Sequence, residues 1–310
     1  MRSIIIVVTA ALFATSAFAQ EPSRSTASVP DFSGTWLHGS FPGFEPLASG
    51  PTSLVNRSRR TVAQLVRDLA GTWPGPGAPQ HGVGNVLELV GDYTNPILKP
   101  EAAEIVKKFG EISMAGVGYP NPRTQCWPGG VPFDFTSGVG NIQILQQPDK
   151  IAILYGGDVR HVRLNQSHPA HVTPTWYGDS VGHYDGDTLV IDTVGIKVGP
   201  FAMVDWYGTP HTEALHVIER YRLIDYEAAK EGFERDIKEN MRLGPPPNYR
   251  GKYLQLEFTV EDTGVFTTPW TATMTYGRGA GNLPENVCAE NIQWYPGKDA
   301  AVPRADKPDF

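Results

Sequence analysis

The chain has 310 residues, 40% of them hydrophobic and 19% charged, and a formal net charge of −7 at pH 7. That length fits one large domain or two small ones. The acidic balance argues against nucleic acid as a partner, because a phosphate backbone needs a basic face and the densest basic run, Arg57-Ser58-Arg59-Arg60, is short.

The first segment reads as an export signal. A single charge at Arg2 precedes an apolar run from Ile4 to Phe13, and Ala17-Phe18-Ala19 fits a small-x-small cleavage site. The run is too short to span a bilayer, which needs ~20 residues. The expected domains are therefore a signal peptide at 1–19, a polar Pro/Ser-rich leader at 20–30, and one barrel domain at 31–310. No span is expected in the membrane, and the expected location is the periplasm or the exterior. In an oxidising compartment the two cysteines, Cys126 and Cys288, are read as a disulfide. It would close a loop of roughly 160 residues, worth at most about 5 kcal/mol in the chain-entropy treatment.

The leader is followed by Asp31-Phe32-Ser33-Gly34-Thr35-Trp36. A Gly-x-Trp on a first strand resembles the opening of lipocalin-type barrels, where the Trp plugs one end. Helical insertions are expected near 58–115, with one helix at 60–70 (Val62, Leu65, Val66 and Leu69 in helical spacing) and another at 100–113. In the second, Pro100 suits the first helical position, Glu101 and Glu104 the first turn, and Ala102, Ile105, Val106 and Phe109 form the apolar stripe.

Strands dominate from 131 onward. The spacing predicts them at 141–145, 151–164, 176–183, 188–194, 215–223, 253–261 and 270–276, with the Asp185-Gly186 hairpin between the third and the fourth. With the strand at Trp36 this gives a mainly β chain, an antiparallel lipocalin-like β-barrel of about eight strands with a few peripheral helices. An amphipathic helix is expected at 227–242 (Ala229, Phe233, Ile237, Met241), packed on the outside or set over the barrel mouth.

Six of the eight histidines lie between 161 and 216, on or beside predicted strands. Strand phase sets Tyr155, Val159, His161 and Arg163 on one face if no bulge intervenes, and Asp158, Arg160, Val162 and Leu164 on the other. Tyr177, Asp179, Val181 and His183 share a face; so do Leu215, Val217, Glu219 and Tyr221, opposite His216, Ile218 and Arg220. Acid–base chemistry is assigned to His161, His183, His211 and Glu213, since an imidazole beside a carboxylate makes a general base. Asp158, Asp179 and Arg220 would orient or bind the substrate, and Tyr155, Tyr177, Trp206 and Tyr207 would supply aromatic walls. His168-Pro169-Ala170-His171 has metal-like spacing, but Pro169 favours an extended loop and no acid lies between 159 and 178. Ser180 lacks the sharp elbow of a nucleophile, and nucleotide motifs are missing from the sequence. No metal or cofactor is therefore expected.

Four blocks together carry a resemblance: Trp176-Tyr177-Gly178-Asp179-Ser180-Val181-Gly182; Gly186-Asp187-Thr188-Leu189-Val190-Ile191-Asp192-Thr193; Pro210-His211-Thr212-Glu213 with Leu215-His216-Val217-Ile218-Glu219-Arg220; and Thr268-Pro269-Trp270-Thr271. With Cys288-Ala289-Glu290-Asn291 they resemble a large family of uncharacterised exported bacterial proteins over roughly residues 140 to 292. Tyr184 stands where that family has Trp. The resemblance implies export and a lipocalin-like β architecture and carries no assigned reaction. The resulting expectation is a cofactor-independent lyase, isomerase or hydrolase for a small, partly apolar, aromatic or cyclic substrate. The alternative is a carrier of a hydrophobic small molecule with an apolar lumen.

Overall fold

The computed structural model describes residues 29–38, 43–58, 89–114, 121–123, 126–136, 141–240, 250–279 and 281, without the side chains of 235–240. The signal, most of the leader, the helix expected at 60–70 and Cys288 lie outside the described residues.

The strands are β1 (Gly34–Leu37), β2 (Glu45–Pro46), β3 (Asn141–Gln146), β4 (Lys150–Tyr155), β5 (Asp158–Leu164), β6 (Asp179–Asp185), β7 (Thr188–Val194), β8 (His216–Ile224), β9 (Tyr253–Glu261) and β10 (Trp270–Arg278). Nine of them, all but β2, close into one barrel in the order β1-β3-β4-β5-β6-β7-β8-β9-β10, with β10 returning to β1 through Trp36↔Arg278 and Leu37↔Gly277. The two-residue β2 borders β10 at Ala272 and Thr273.

The run expected as one strand from 151 to 164 is a hairpin. Gly156 takes a φ of 66°, and Tyr155 and Asp158 pair directly across the two-residue turn. That turn supplies the extra strand and resets the face of every residue after it. One pairing departs from the antiparallel expectation: β5 and β6 run parallel, Val162 opposite Ser180. Parallel neighbours need a long return path, which segment 165–178 provides as a crossover.

Along each strand alternate residues enter the core. Ile153, Val162, Ile191, Val217, Leu256, Phe258 and Trp270 are buried and belong to one apolar cluster that fills the barrel. One end is closed by the N-terminal segment. Trp36 is buried and donates its indole N–H to the Phe32 carbonyl at 2.8 Å, and Arg278 lies 4.7 Å over the same ring. Gln146 clamps that end from β3, accepting from the Phe32 amide and donating to the Pro30 carbonyl, both at 2.9 Å. Gly34 is required here. Its φ is 113°, and a Cβ would stand 2.6 Å from the Arg278 guanidinium. Gly34→Ala is expected to cost roughly 1–3 kcal/mol in chemical denaturation; an unchanged midpoint would show that Arg278 does not hold this end.

The helices are α1 (Pro100–Met114) and α2 (Tyr226–Asn240). In α1 the buried positions are Ala102, Val106, Phe109, Gly110 and Ser113, while Ile105, expected in the stripe, is 45% exposed. The stripe runs in steps of three and four from Ala102, and Ile105 falls just past its edge. α1 packs near the 203–209 loop, since a Cβ on Gly208 would strike Phe109. α2 sets Ala229 and Phe233 against Tyr253 on the outer wall and contacts β2, β9 and β10, so it does not lie over the mouth.

Candidate functional site

The barrel interior holds a buried polar cluster. Arg160 grips Glu219 with two hydrogen bonds, 2.6 and 2.9 Å, and both side chains are fully buried. Arg160 also donates to Thr193 Oγ1 at 2.7 Å and Ser180 Oγ at 3.1 Å, and the Tyr221 hydroxyl donates to Glu219 at 2.9 Å. Burial drives the Tyr221 hydroxyl well above its usual pKa, and the Tyr155 hydroxyl likewise. The Tyr155 hydroxyl makes no hydrogen bond of normal geometry, although the Arg160 guanidinium acts on it electrostatically. With its members at most 3% exposed, this cluster is a packed core network.

A second cluster sits where β4 turns into β5, at the other end of the β3–β4 hairpin from Gln146. Asp158 opens β5, Tyr177 ends the crossover, and Arg123 and Asp134 come from the irregular segment before β3. Arg123 bridges the two carboxylates, donating to Asp134 at 2.7 Å and to Asp158 at 3.0 Å. The Tyr177 hydroxyl donates to Asp134 at 2.5 Å and stands 3.3 Å from Asp158. The Tyr177 ring stacks on Tyr155, centroids 5.5 Å apart and 10° from parallel. The Asp134 side chain is wholly buried, whereas those of Asp158 and Arg123 are 25% exposed.

The backbone is shaped for this assembly. Asp134 lies in a 3₁₀ turn, Phe133–Phe135. Upstream, Gly130 takes a φ of 71° with its Cα so close to the Trp176 carbonyl that a Cβ would come within 2.5 Å. Among the described residues of the cluster, one guanidinium faces two carboxylates. Partial burial raises the Asp158 pKa, the Asp134 charge adds to the rise, and Arg123 opposes both. Burial foremost, then the two carboxylates, pushes the Tyr177 hydroxyl far above its ordinary range, so it stays protonated. Beside this cluster, Phe201, Trp127 and Trp176 form a half-buried aromatic ladder with centroid spacings of 5.8 and 5.7 Å, and Lys197 lies 4.8 Å over Trp176.

The remaining expected site residues are dispersed. His161 and His183 are exposed on the outer wall, and so are Glu213 and Arg220. His211 is buried, its Nδ1 3.2 Å from the Thr212 carbonyl, and burial lowers its pKa. Its neighbour across the turn is Asp262, which accepts from the Thr212 amide and hydroxyl; no hydrogen bond joins His211 to Glu213 among the described residues. Asp179 faces outward and accepts from Arg163. Trp206 is buried and donates to the Thr136 carbonyl at 3.2 Å, and Tyr207 is wholly buried. Asp158, Tyr155 and Tyr177 are thus the expected residues that the fold unites. Arg123 and Asp134 are additions from the structure; they belong to no strand or long helix, and a carboxylate two residues past Pro132 carries no periodic signal.

The 203–209 loop, which sets Trp206 against Phe133, is organised by Asp205, which accepts from the Tyr207 amide (2.9 Å), the Thr209 amide (3.2 Å) and the Thr209 hydroxyl (2.8 Å). Burial raises its pKa to about 6 despite those bonds. A raised carboxyl pKa means that ionising the folded protein costs stability as pH climbs through the interval from the free value to 6, on the order of 3 kcal/mol here. Asparagine keeps an acceptor for the amides. The stability of the native chain relative to Asp205→Asn is therefore expected to fall by that amount between pH 4 and pH 7 in paired urea titrations. A difference independent of pH would contradict it.

No known protein family, curated protein or solved structure matches this chain. Among the described residues, no helix is long and apolar enough to cross a membrane, and no group of three or more His, Cys, Asp or Glu is arranged to hold a metal ion.

Proposed function

We propose that the rim cluster is an acid–base catalytic site and that the protein is an exported, cofactor-independent lyase, isomerase or hydrolase. Asp158 is the proton-transferring group in place of the histidines, Tyr177 holds the buried Asp134 carboxylate behind it through its hydroxyl, and Arg123 offsets developing negative charge. The observation that carries this reading is the half-open Asp158 carboxyl between a guanidinium at 3.0 Å and a tyrosine hydroxyl at 3.3 Å, backed by a buried second carboxylate. The Trp127, Trp176 and Phe201 ladder supports a substrate with an apolar or aromatic portion. Export rests on the N-terminal pattern and the four sequence blocks. A Cys126–Cys288 bridge accords with it, since no described cysteine is free.

The test is turnover of a panel of aryl esters, lactones and aryl glycosides by the wild type, Asp158→Asn, Tyr177→Phe and His161→Ala. Activity lost in the first two variants and kept in the third supports the site. Activity that survives both rim changes refutes it.

The carrier reading draws on a separate feature, a cleft of about 530 Å³ lined by Pro46, Leu47, Pro51, Val55, Pro96 and Ile97 with the buried Ser53. Ser53 is 1% exposed beneath that lining, and its hydroxyl has no hydrogen-bond partner among the described residues. An organic molecule retained through purification in native mass spectrometry, and lost on Ser53→Phe, would favour it.

A further inference from the structure

A chain of six charged or titratable groups crosses the outer wall of the barrel over five adjacent strands. Arg163 on β5 donates to Asp179 on β6 at 2.7 Å. His168, on the crossover, sets Nδ1 2.6 Å from Asp179 and Nε2 3.1 Å from Asp192 on β7. His216 on β8 sets Nε2 3.0 Å from the same Asp192 oxygen and Nδ1 3.3 Å from Glu261 on β9. Each imidazole therefore has both nitrogens against carboxylate oxygens. A neutral ring carries one N–H, so one of its contacts would set a lone pair against a carboxylate; only the imidazolium donates from both nitrogens. With two imidazolium rings and Arg163 against Asp179, Asp192 and Glu261, the charges balance.

We propose that this belt is a proton-loaded clasp that pins the crossover 165–178 to the barrel wall and opens when its protons leave. His168 is the one member that does not belong to a strand, so the crossover is the part set free. The same crossover carries Trp176 and Tyr177, so the clasp regulates the rim site by fixing the approach to it; that consequence rests on the catalytic reading above, but the clasp itself does not. The shifts at its centre agree in sign. The hydrogen bond to Asp192 raises the His216 pKa, so its stabilisation is complete below the free imidazole value and is lost as pH rises through the raised one. The hydrogen bond from His216 lowers the Asp192 pKa, so that contribution is lost only in strong acid.

Two measurements on the full chain test the clasp, both with a chelator present so that no metal ion can replace the protons. In ¹⁵N-histidine spectra at pH 6, His216, whose pKa the hydrogen bond to Asp192 raises, is expected to show both ring nitrogens protonated. Cleavage by proteinase K within 166–174, normalised to an unstructured peptide of that sequence, is expected to accelerate with the same midpoint at which the belt deprotonates. Beyond it the rate should rise roughly tenfold for each proton lost per pH unit. In His168→Gln, cleavage is expected to be fast at every pH. A singly protonated His216 ring at pH 6, or cleavage of the wild type that ignores pH between 5.5 and 8.5, would overturn the clasp. Neither readout involves turnover, so failure of the rim site and failure of the clasp are told apart.

Discussion

Glu219→Ala is expected to destabilise the protein by about 3–5 kcal/mol, because it strands the Arg160 guanidinium in the barrel core without its carboxylate. Arg160 and Glu219 are both fully buried, and their pairing is two-pronged, at 2.6 and 2.9 Å. Thr193 and Ser180 would still accept from the guanidinium, but neither carries charge. The pair as a whole need not stabilise the fold: desolvating two ions offsets much of their attraction. Arg160→Met with Glu219→Leu is accordingly expected to recover most of the loss, since apolar chains of similar volume suit a core already lined by Ile153, Ile191 and Phe258. Urea unfolding of the single and double variants decides the matter. If the single change falls within about 1 kcal/mol of the wild type, water reaches the pair and the interior is not the dry core described above.

Asp158→Asn is expected to lower turnover of any substrate identified in the panel by roughly 10²- to 10⁴-fold, the usual contribution of a positioned acid or base. Stability should change by less than ~1 kcal/mol, because the side chain is a quarter exposed and Arg123 retains Asp134. The separation of the two effects is the informative part: equal losses of activity and stability would make Asp158 a strut for the 121–136 segment. The raised Asp158 pKa also sets a direction for pH. A base role gives activity that rises with pH through a midpoint above the ordinary aspartate value, and an acid role gives activity that falls there. The Asp158→Asn change abolishes either limb, because an amide does not titrate in this range.

The barrel is legible in the sequence because its strands alternate. On β8, strand phase groups Val217, Glu219 and Tyr221 on one face, and all three are buried. Asp185-Gly186 ends β6 in the expected hairpin. The glycine pair at 156–157 is hidden because it interrupts a run apolar enough to be a single strand, and that one turn shifts the expected faces of Tyr155 and Val159. The parallel pairing of β5 with β6 is illegible for a different reason. Strand periodicity gives no direction, and the stretch around His168 and Pro169 reads equally as a loop within a meander.

The candidate site is half visible. Asp158 and Tyr155 lie in periodic segments where a face can be assigned and Tyr177 lies in the turn just before one, whereas Arg123 and Asp134 meet them only through the tertiary fold, 35 and 43 residues away in their respective contacts. The histidines attract notice by their density along the chain. Density in one dimension says little once alternate residues point to opposite sides of a wall: His161 and His183 face outward, and His168 and His216 find carboxylates there.

The closure of β1 on β10 has a consequence for how the protein comes into being. Trp36 meets Arg278 across 242 residues of chain. A nascent chain therefore carries two unpaired strand edges until β10 has left the ribosome. Such long-range closure is slow. Any chaperone that keeps the unfinished polypeptide from pairing with its neighbours has a window that lasts until β10 is made, and a stop codon anywhere before β10 should yield an aggregating fragment and no smaller barrel.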